Sequence, residues 1–326
     1  MYDVSFLTLM ISTASIAFLH ALAPDHWLPF IMIGRAQKWS IKKLIFVAFI
    51  AGIGHVGSSV LLGLLGLFIG MELSKLEGLE ALRGELALRT LLIIGDNKRI
   101  LVDTGIGKKW EEKYADIYGI DHTKYTLEDS LAKIGLKTDD ITDVILTHLH
   151  FDHAGGATMI DSDGIIRPTF KNATYYVQKR NLELAMNPNE KDRASYLPEN
   201  FLPLIEFNQL EIVDGEFEIF DGIELIISDG HTFGQQLVKV SDGTRTIVYC
   251  GDLIPTSSHI PIPYVMAYDL QPLITMEEKK KLLKRAVEEN WILFFEHDPY
   301  ADCATVKQGK KYVELDTRFN ISEFPL

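Results

Sequence analysis

Thr147-His148-Leu149-His150-Phe151-Asp152-His153-Ala154-Gly155-Gly156 sets four side chains able to hold a metal, His148, His150, Asp152 and His153, within six consecutive positions. Neutral imidazoles and a carboxylate are donors suited to zinc and similar ions. The run follows Val144 to Leu146, a short apolar stretch that reads as a buried strand. Alternate positions at a strand end point the same way, so His148 and His150 can share one ion while Asp152 and His153 turn towards a second. Gly155-Gly156 then releases the backbone. Solvated or core-capping histidines are the plainer explanation of such residues, and a cluster this dense argues against it.

Outward from this loop, from Leu86 onward, short β-type runs alternate with turns and amphipathic helices. Leu91 to Ile94 and Arg99 to Val102 flank a turn as a hairpin; Lys108 to Ile117 and Leu127 to Ile134 read as helices. Further strands are expected at Thr174 to Val177, Leu210 to Val213, Ile223 to Ile227, Gln236 to Val240, Thr246 to Tyr249 and Ile292 to Phe295. A charged helix is expected over Met276 to Glu289. Three strand endings coincide with a further donor: His231 in Ser228-Asp229-Gly230-His231-Thr232, Asp252 in Tyr249-Cys250-Gly251-Asp252, and His297 in Phe294-Phe295-Glu296-His297-Asp298. A lone strand-end histidine is more often structural and a Gly-Asp pair is usually a turn. Their common placement, in this order after the cluster, reverses that reading.

With these residues in hand, the chain resembles the metallo-β-lactamase-fold hydrolase superfamily, whose signature is a His-x-His-x-Asp-His loop followed by a His, an Asp and a final His. The resemblance covers about residues 86 to 316. It implies an α+β fold, a four-layered αβ/βα sandwich of two mixed sheets packed face to face with helices outside. It also implies that His148, His150 and His231 hold one metal, Asp152, His153 and His297 the other, and that Asp252 bridges them. Asp103, in Leu101-Val102-Asp103-Thr104-Gly105, matches the position from which an aspartate supports the ligand histidines. Two Zn2+ are the default, with manganese, iron, cobalt and nickel compatible with the same donors. Such a site lowers the pKa of a shared water, held by Asp152 and Asp252, so that hydroxide attacks a carbonyl or phosphoryl centre. The expected activity is hydrolysis of a small molecule with an ester, lactone or phosphoester bond.

Asp252, rather than Cys or Ser, argues against true zinc β-lactamases. The extra domains of glyoxalase II enzymes and of the nuclease branch find no counterpart here. What remains looks most like acyl-homoserine lactonases and their organophosphate-hydrolysing relatives. The tyrosine that quorum-quenching lactonases carry three residues after the bridging Asp is Pro255 here, so their leaving-group chemistry does not carry over. Tyr249, Tyr264 and Tyr300 are candidate proton donors by proximity in sequence, against the ordinary reading of strand-side tyrosines as packing residues. A mononuclear iron redox enzyme on the same fold is the alternative that the seven-donor set speaks against.

The first 75 residues are of another kind. Two apolar runs, Val4 to Leu19 and Leu44 to Met71, read as a transmembrane hairpin, the second having about 28 uncharged residues against the ~20 needed to cross a bilayer. Arg35, Lys38, Lys42 and Lys43 between them predict a cytoplasmic loop, a membrane anchor and a hydrolase domain on the outer side. The expected organisation is a membrane hairpin over 1–75, a linker over 76–85 and a hydrolase domain over 86–326. His20-Ala21-Leu22-Ala23-Pro24-Asp25-His26 resembles the His-x4-Asp-His signature of nickel and cobalt permeases, with His55 as a further candidate ligand. That leaves a membrane metal-handling protein as an alternative from a different class. Membrane-type sequence also stands where superfamily members have an opening β-hairpin, so part of the first sheet is expected to be missing, as in a non-functional fusion of two truncated genes. The net charge of −13, all of its acidic excess beyond residue 75, argues against nucleic acid as partner. Cys250 and Cys303, the only cysteines, read as buried apolar residues and frame no disulfide network.

Overall fold

The computed structural model describes residues 85–323, apart from Asp96 and Lys124, together with residues 32–33, 36–47 and 49–50. The chain divides into two units, Met1–Gly84 and Glu85–Leu326. In the first, residues 41–47 are helical, with Ile41, Ile45 and Phe46 exposed. Among the described residues no helix is long and apolar enough to cross a membrane. Of the two apolar runs of the expected transmembrane hairpin only 44–47 and 49–50 lie among those residues, and His20, Asp25, His26 and His55 lie outside them.

The second unit begins with the hairpin of β1 (Leu91–Ile94) and β2 (Arg99–Val102), paired Leu91 to Val102 through Ile94 to Arg99. β3 (Asp143–Ile145) pairs parallel with β2. After a small separate hairpin, β4 (Thr158–Ile160) and β5 (Ile166–Pro168), the sheet continues in parallel with β6 (Thr174–Gln178) and β7 (Leu210–Val213). β3 is buried along its whole length, which is why an uninterrupted apolar run marked it. The second sheet holds β8 (Glu218–Phe220), β9 (Ile223–Ser228), β10 (Gln235–Ser241), β11 (Thr246–Tyr249), β12 (Ile292–Phe294), β13 (Cys303–Gln308) and β14 (Val313–Phe319). They neighbour one another in sequence order and run antiparallel, except that β11 and β12 are parallel.

The helices are α1 (Glu112–Tyr118), α2 (Leu127–Lys133), α3 (Phe151–Ala154), α4 (Lys179–Met186), α5 (Leu202–Glu206) and α6 (Pro272–Glu288). Thr126 caps α2 by accepting from the Asp129 N–H, meeting one of the donors a helix start leaves open. Three apolar clusters define the layers. Ile100, Val102 and Ile145 of the first sheet meet Leu225, Val238 and Phe294 of the second. Leu131 of α2, Leu182 of α4 and Leu204 of α5 pack on the other face of the first sheet, with Leu101 and Val144. Leu282, Leu283 and Ala286 of α6 cover the outer face of the second, with Val248 and Leu293. Helix, sheet, sheet, helix is the sandwich that the sequence led us to expect.

The structure amends some boundaries. The helix expected from Lys108 starts only at Glu112, because Gly107 adopts φ +67° and Lys109 is tied to the carbonyls of Gly155 and Thr158. The first sheet has five strands with β1 at its edge. Before β1, Ala87 and Arg89 run beside the end of β12, their N–H groups donating to the carbonyls of His297 and Glu296 at 3.2 and 3.1 Å.

Candidate metal centre

Every donor read from the sequence beyond residue 85 reaches one place, beyond strand ends and on the short helix α3. His148 and His150 follow β3, Asp152 and His153 lie on α3, and His231, Asp252 and His297 follow β9, β11 and β12. They fall into two groups: His148, His150, His231 and Asp252, and Asp152, His153 and His297, with the donor atoms of each within 4.8 Å of one another. All are buried except Asp152, whose side chain is 26% exposed and faces water.

Asp252 joins the groups. Its Oδ2 lies 3.0 Å from His231 Nε2 and 3.5 Å from His153 Nε2, and its Oδ1 lies 3.1 Å from His297 Nε2. His148 Nε2 and His231 Nε2 approach His150 Nδ1 to 2.9 and 3.2 Å, and His153 and His297 bring their Nε2 atoms within 3.3 Å. Asp152 stands slightly further out, at 3.9 Å from His153 Nε2 and 3.8 Å from His297 Nε2.

The outward-facing nitrogens have oxygen partners except in His150, which turns Nδ1 to the cluster and leaves Nε2 buried without a partner. His148 Nδ1 meets Thr147 Oγ1 at 3.0 Å, His231 Nδ1 meets Asp269 Oδ1 at 3.0 Å, and His297 Nδ1 meets the Ala87 carbonyl at 2.9 Å. His153 Nδ1 lies 3.0 Å from Asp103 Oδ2 and 2.8 Å from Glu296 Oε2. Asp103 is held in turn: at φ +56° it accepts from the Thr147 N–H and hydroxyl, both at 2.7 Å. Carboxylate and carbonyl acceptors place the proton on Nδ1 and turn the Nε2 lone pair inward, as in histidines that bind metal. Lone pairs crowded this closely repel one another unless a cation lies between them. The donor set therefore fits two divalent ions.

Charge follows the same division. Burial, then the neighbouring histidines, hold His148 and His150 well below the usual imidazole range. Burial also disfavours charge on His231 and His297, but Asp252 outweighs it, aided by Asp269 for the first and Glu296 for the second, and both rise to about 9. His153 moves the same way: burial opposes its charge, while Glu296, Asp252, Asp152 and Asp103 favour it. Glu296 is pushed up to about 7 by burial and Asp103, against the pull of His153.

Sequence reasoning missed three residues. Asp269, Glu296 and Asn181, whose Oδ1 accepts from the Leu149 N–H at 2.9 Å, all steady the cluster. A carboxylate directly before a strand-end histidine was the visible signal for Glu296. Asp269 and Asn181 had none. Of the candidate proton donors, Tyr249 is buried, its hydroxyl 2.6 Å from Glu296 Oε2 and 2.8 Å from the Arg89 carbonyl, so it is committed to packing and support. Tyr264 and Tyr300 are exposed at 61% and 84%. Pro255 gives its carbonyl to the His297 N–H at 3.1 Å.

Comparison with known proteins agrees with the geometry. A probable metal-dependent hydrolase from Staphylococcus aureus has the same fold, with 28% identity and a TM-score of 0.65 over 74% of this chain and 84% of its own. An N-acyl homoserine lactone hydrolase, solved with N-hexanoyl-L-homoserine at its catalytic metal centre, aligns at 26% identity and a TM-score of 0.50, covering 66% of this chain and 82% of its own. An N-acyl homoserine lactonase from Bacillus thuringiensis is 28% identical over 182 residues, 54% of this chain. The chain spans 64% of the length of that curated relative. Residues 84–297 match the metallo-beta-lactamase superfamily, and the chain belongs to it.

Proposed function

We propose that this protein is a binuclear, zinc-dependent hydrolase of small esters or lactones. The observation that carries the reading is Asp252, whose carboxylate touches both sets of buried histidines, His231 on one side and His153 and His297 on the other. His148, His150 and His231 would hold one ion, Asp152, His153 and His297 the other, with Asp252 shared. Ions bound there supply two things: a water acidic enough to ionise near neutral pH, and polarisation of the substrate oxygen. The chain's own residues do the rest. Asp152, the partly exposed carboxylate, is placed to take a proton from water arriving at the cluster. Asp252 orients that water from within, and Asp103, Asp269 and the Ala87 carbonyl keep the imidazole rings from turning. Similarity to the homoserine lactonases favours a lactone as substrate, and the seven-donor set disfavours a mononuclear iron centre.

The test is zinc content of the purified chain beside assays with a homoserine lactone, an aryl ester and a phosphotriester. Two zinc equivalents and turnover of at least one substrate support the reading; a loaded chain inert towards all three sinks it.

Two further results are expected. At pH 7 the metal-free chain carries protons on His231 and His297, which titrate near 9, and a metal needs the neutral rings. Zinc loading at pH 7 should therefore release roughly two protons or more per chain, and affinity should rise with pH up to about 9. Calorimetry in buffers of different ionisation enthalpy measures this, and a heat independent of buffer contradicts it. Second, Asp269→Ala should weaken metal binding by about 10- to 100-fold by freeing His231 to rotate. Competition against a chelator reads that loss directly.

A further inference from the structure

We infer that Glu296 is a positioning residue for one half of the centre only, the half formed by Asp152, His153 and His297. This rests on the binuclear reading above. Two carboxylates address the same imidazole nitrogen: Glu296 Oε2 lies 2.8 Å from His153 Nδ1 and Asp103 Oδ2 lies 3.0 Å from it. Their other attachments differ. Asp103 accepts from Thr147, whose hydroxyl is also 3.0 Å from His148 Nδ1, so Asp103 reaches both histidine groups. Glu296 is fully buried, takes the Tyr249 hydroxyl at 2.6 Å, and has its second oxygen unpartnered. Among the described residues its side chain is bonded to His153 and Tyr249, neither of them in the group of His148, His150 and His231.

Glu296 also precedes His297 in the chain. Its side chain grips His153 while its backbone carries His297, and those two rings face each other across 3.3 Å between their Nε2 atoms. One residue thus sets the spacing of two histidines and keeps the proton on His153 Nδ1, so that Nε2 offers its lone pair. The Ala87 carbonyl fixes the far side of His297, and the Glu296 carbonyl receives the Arg89 N–H, which anchors the segment. A carboxylate placed this way tunes affinity at one ion without touching either.

The experiment compares the full chain with Glu296→Met and Glu296→Gln. Methionine fills a similar volume without an acceptor, and Tyr249 keeps the Arg89 carbonyl, so the domain should hold together. Zinc equivalents and affinities are measured by chelator competition, and cobalt(II) absorption reports each ion's ligand field. The expected result is one zinc bound as in the unaltered chain and the other weakened by about 10- to 100-fold in Glu296→Met. Glu296→Gln, whose carbonyl oxygen can accept the same hydrogen bond, should recover most of that loss. Glu296→Met that keeps both affinities, or loses both alike, overturns the inference while the binuclear reading stands. An unaltered chain that binds fewer than two ions removes the binuclear reading, and the inference with it.

Discussion

Asp252→Ala is expected to abolish tight binding of both ions and to lower hydrolysis by between roughly 150-fold and several thousand-fold. Asp252 is the one side chain in contact with His231, His153 and His297 together, so its removal leaves neither half of the centre complete. Electrostatics adds to this. Asp252 is held well below the usual carboxylate range, burial opposing and His231, His153 and His297 outweighing it, so it is an anion that compensates buried positive charge. Losing a group that merely supports one ligand costs about 10- to 100-fold in metal affinity or activity, and losing a ligand shared by both halves compounds that loss over the two, which brackets the range stated. Zinc content and lactone or ester turnover of the same preparation measure both effects. Retention of one tightly bound zinc with a hydrolysis rate near that of the unaltered chain would show that Asp252 bridges nothing.

Gly156→Ala should destabilise the metal-free domain by about 3 kcal/mol or more, and lower its melting temperature by roughly 6–12 °C. A Cβ at Gly156 would lie 2.2 Å from the Thr104 carbonyl oxygen, and one at Gly155 would lie 2.2 Å from that of Ile106. Both obstacles are backbone, which a side-chain rotation cannot relieve. The two segments are also bonded across this contact: Thr104 N–H donates to the His153 carbonyl at 2.8 Å and Gly156 N–H to that of Gly105 at 2.9 Å. Forcing them apart moves Asp103 away from His153, so metal binding should fall with stability. Thermal melts beside Gly95→Ala, where a Cβ meets nothing within 4 Å, isolate the effect. Equal melting temperatures for the two variants would mean that the close approach is not rigid.

The ligand loop and the strands that deliver its partners were legible because they are local. His148 to His153 lie within one turn, and β3, β7 and β11 appear as apolar runs bounded by turns. Residues that act across the fold were not. Asp269 meets His231 and Asn181 meets the Leu149 N–H only after the chain has folded, and neither sits in a pattern that marks it beforehand. β14 was missed although it carries the signal of a half-buried strand: Val313, Leu315 and Phe319, all partly buried, alternate with Glu314, Asp316 and Arg318. α4, eight residues mixing Lys, Arg and Glu with leucines, is too short for its 3.6-residue period to stand out. The late start of α1 depended on Lys109 being claimed by the ligand loop, a contact that no window of sequence contains.

The Ala87 carbonyl, which steadies His297 through 2.9 Å, sits two residues inside the boundary between the chain's two units. That carbonyl belongs to the peptide backbone, so any amino acid at position 87 offers it equally, and no change of side chain there can take it away. Side-chain identity at this position is therefore free to drift, while the backbone path through Ala87 and Arg89 is pinned by its bonds to His297 and Glu296.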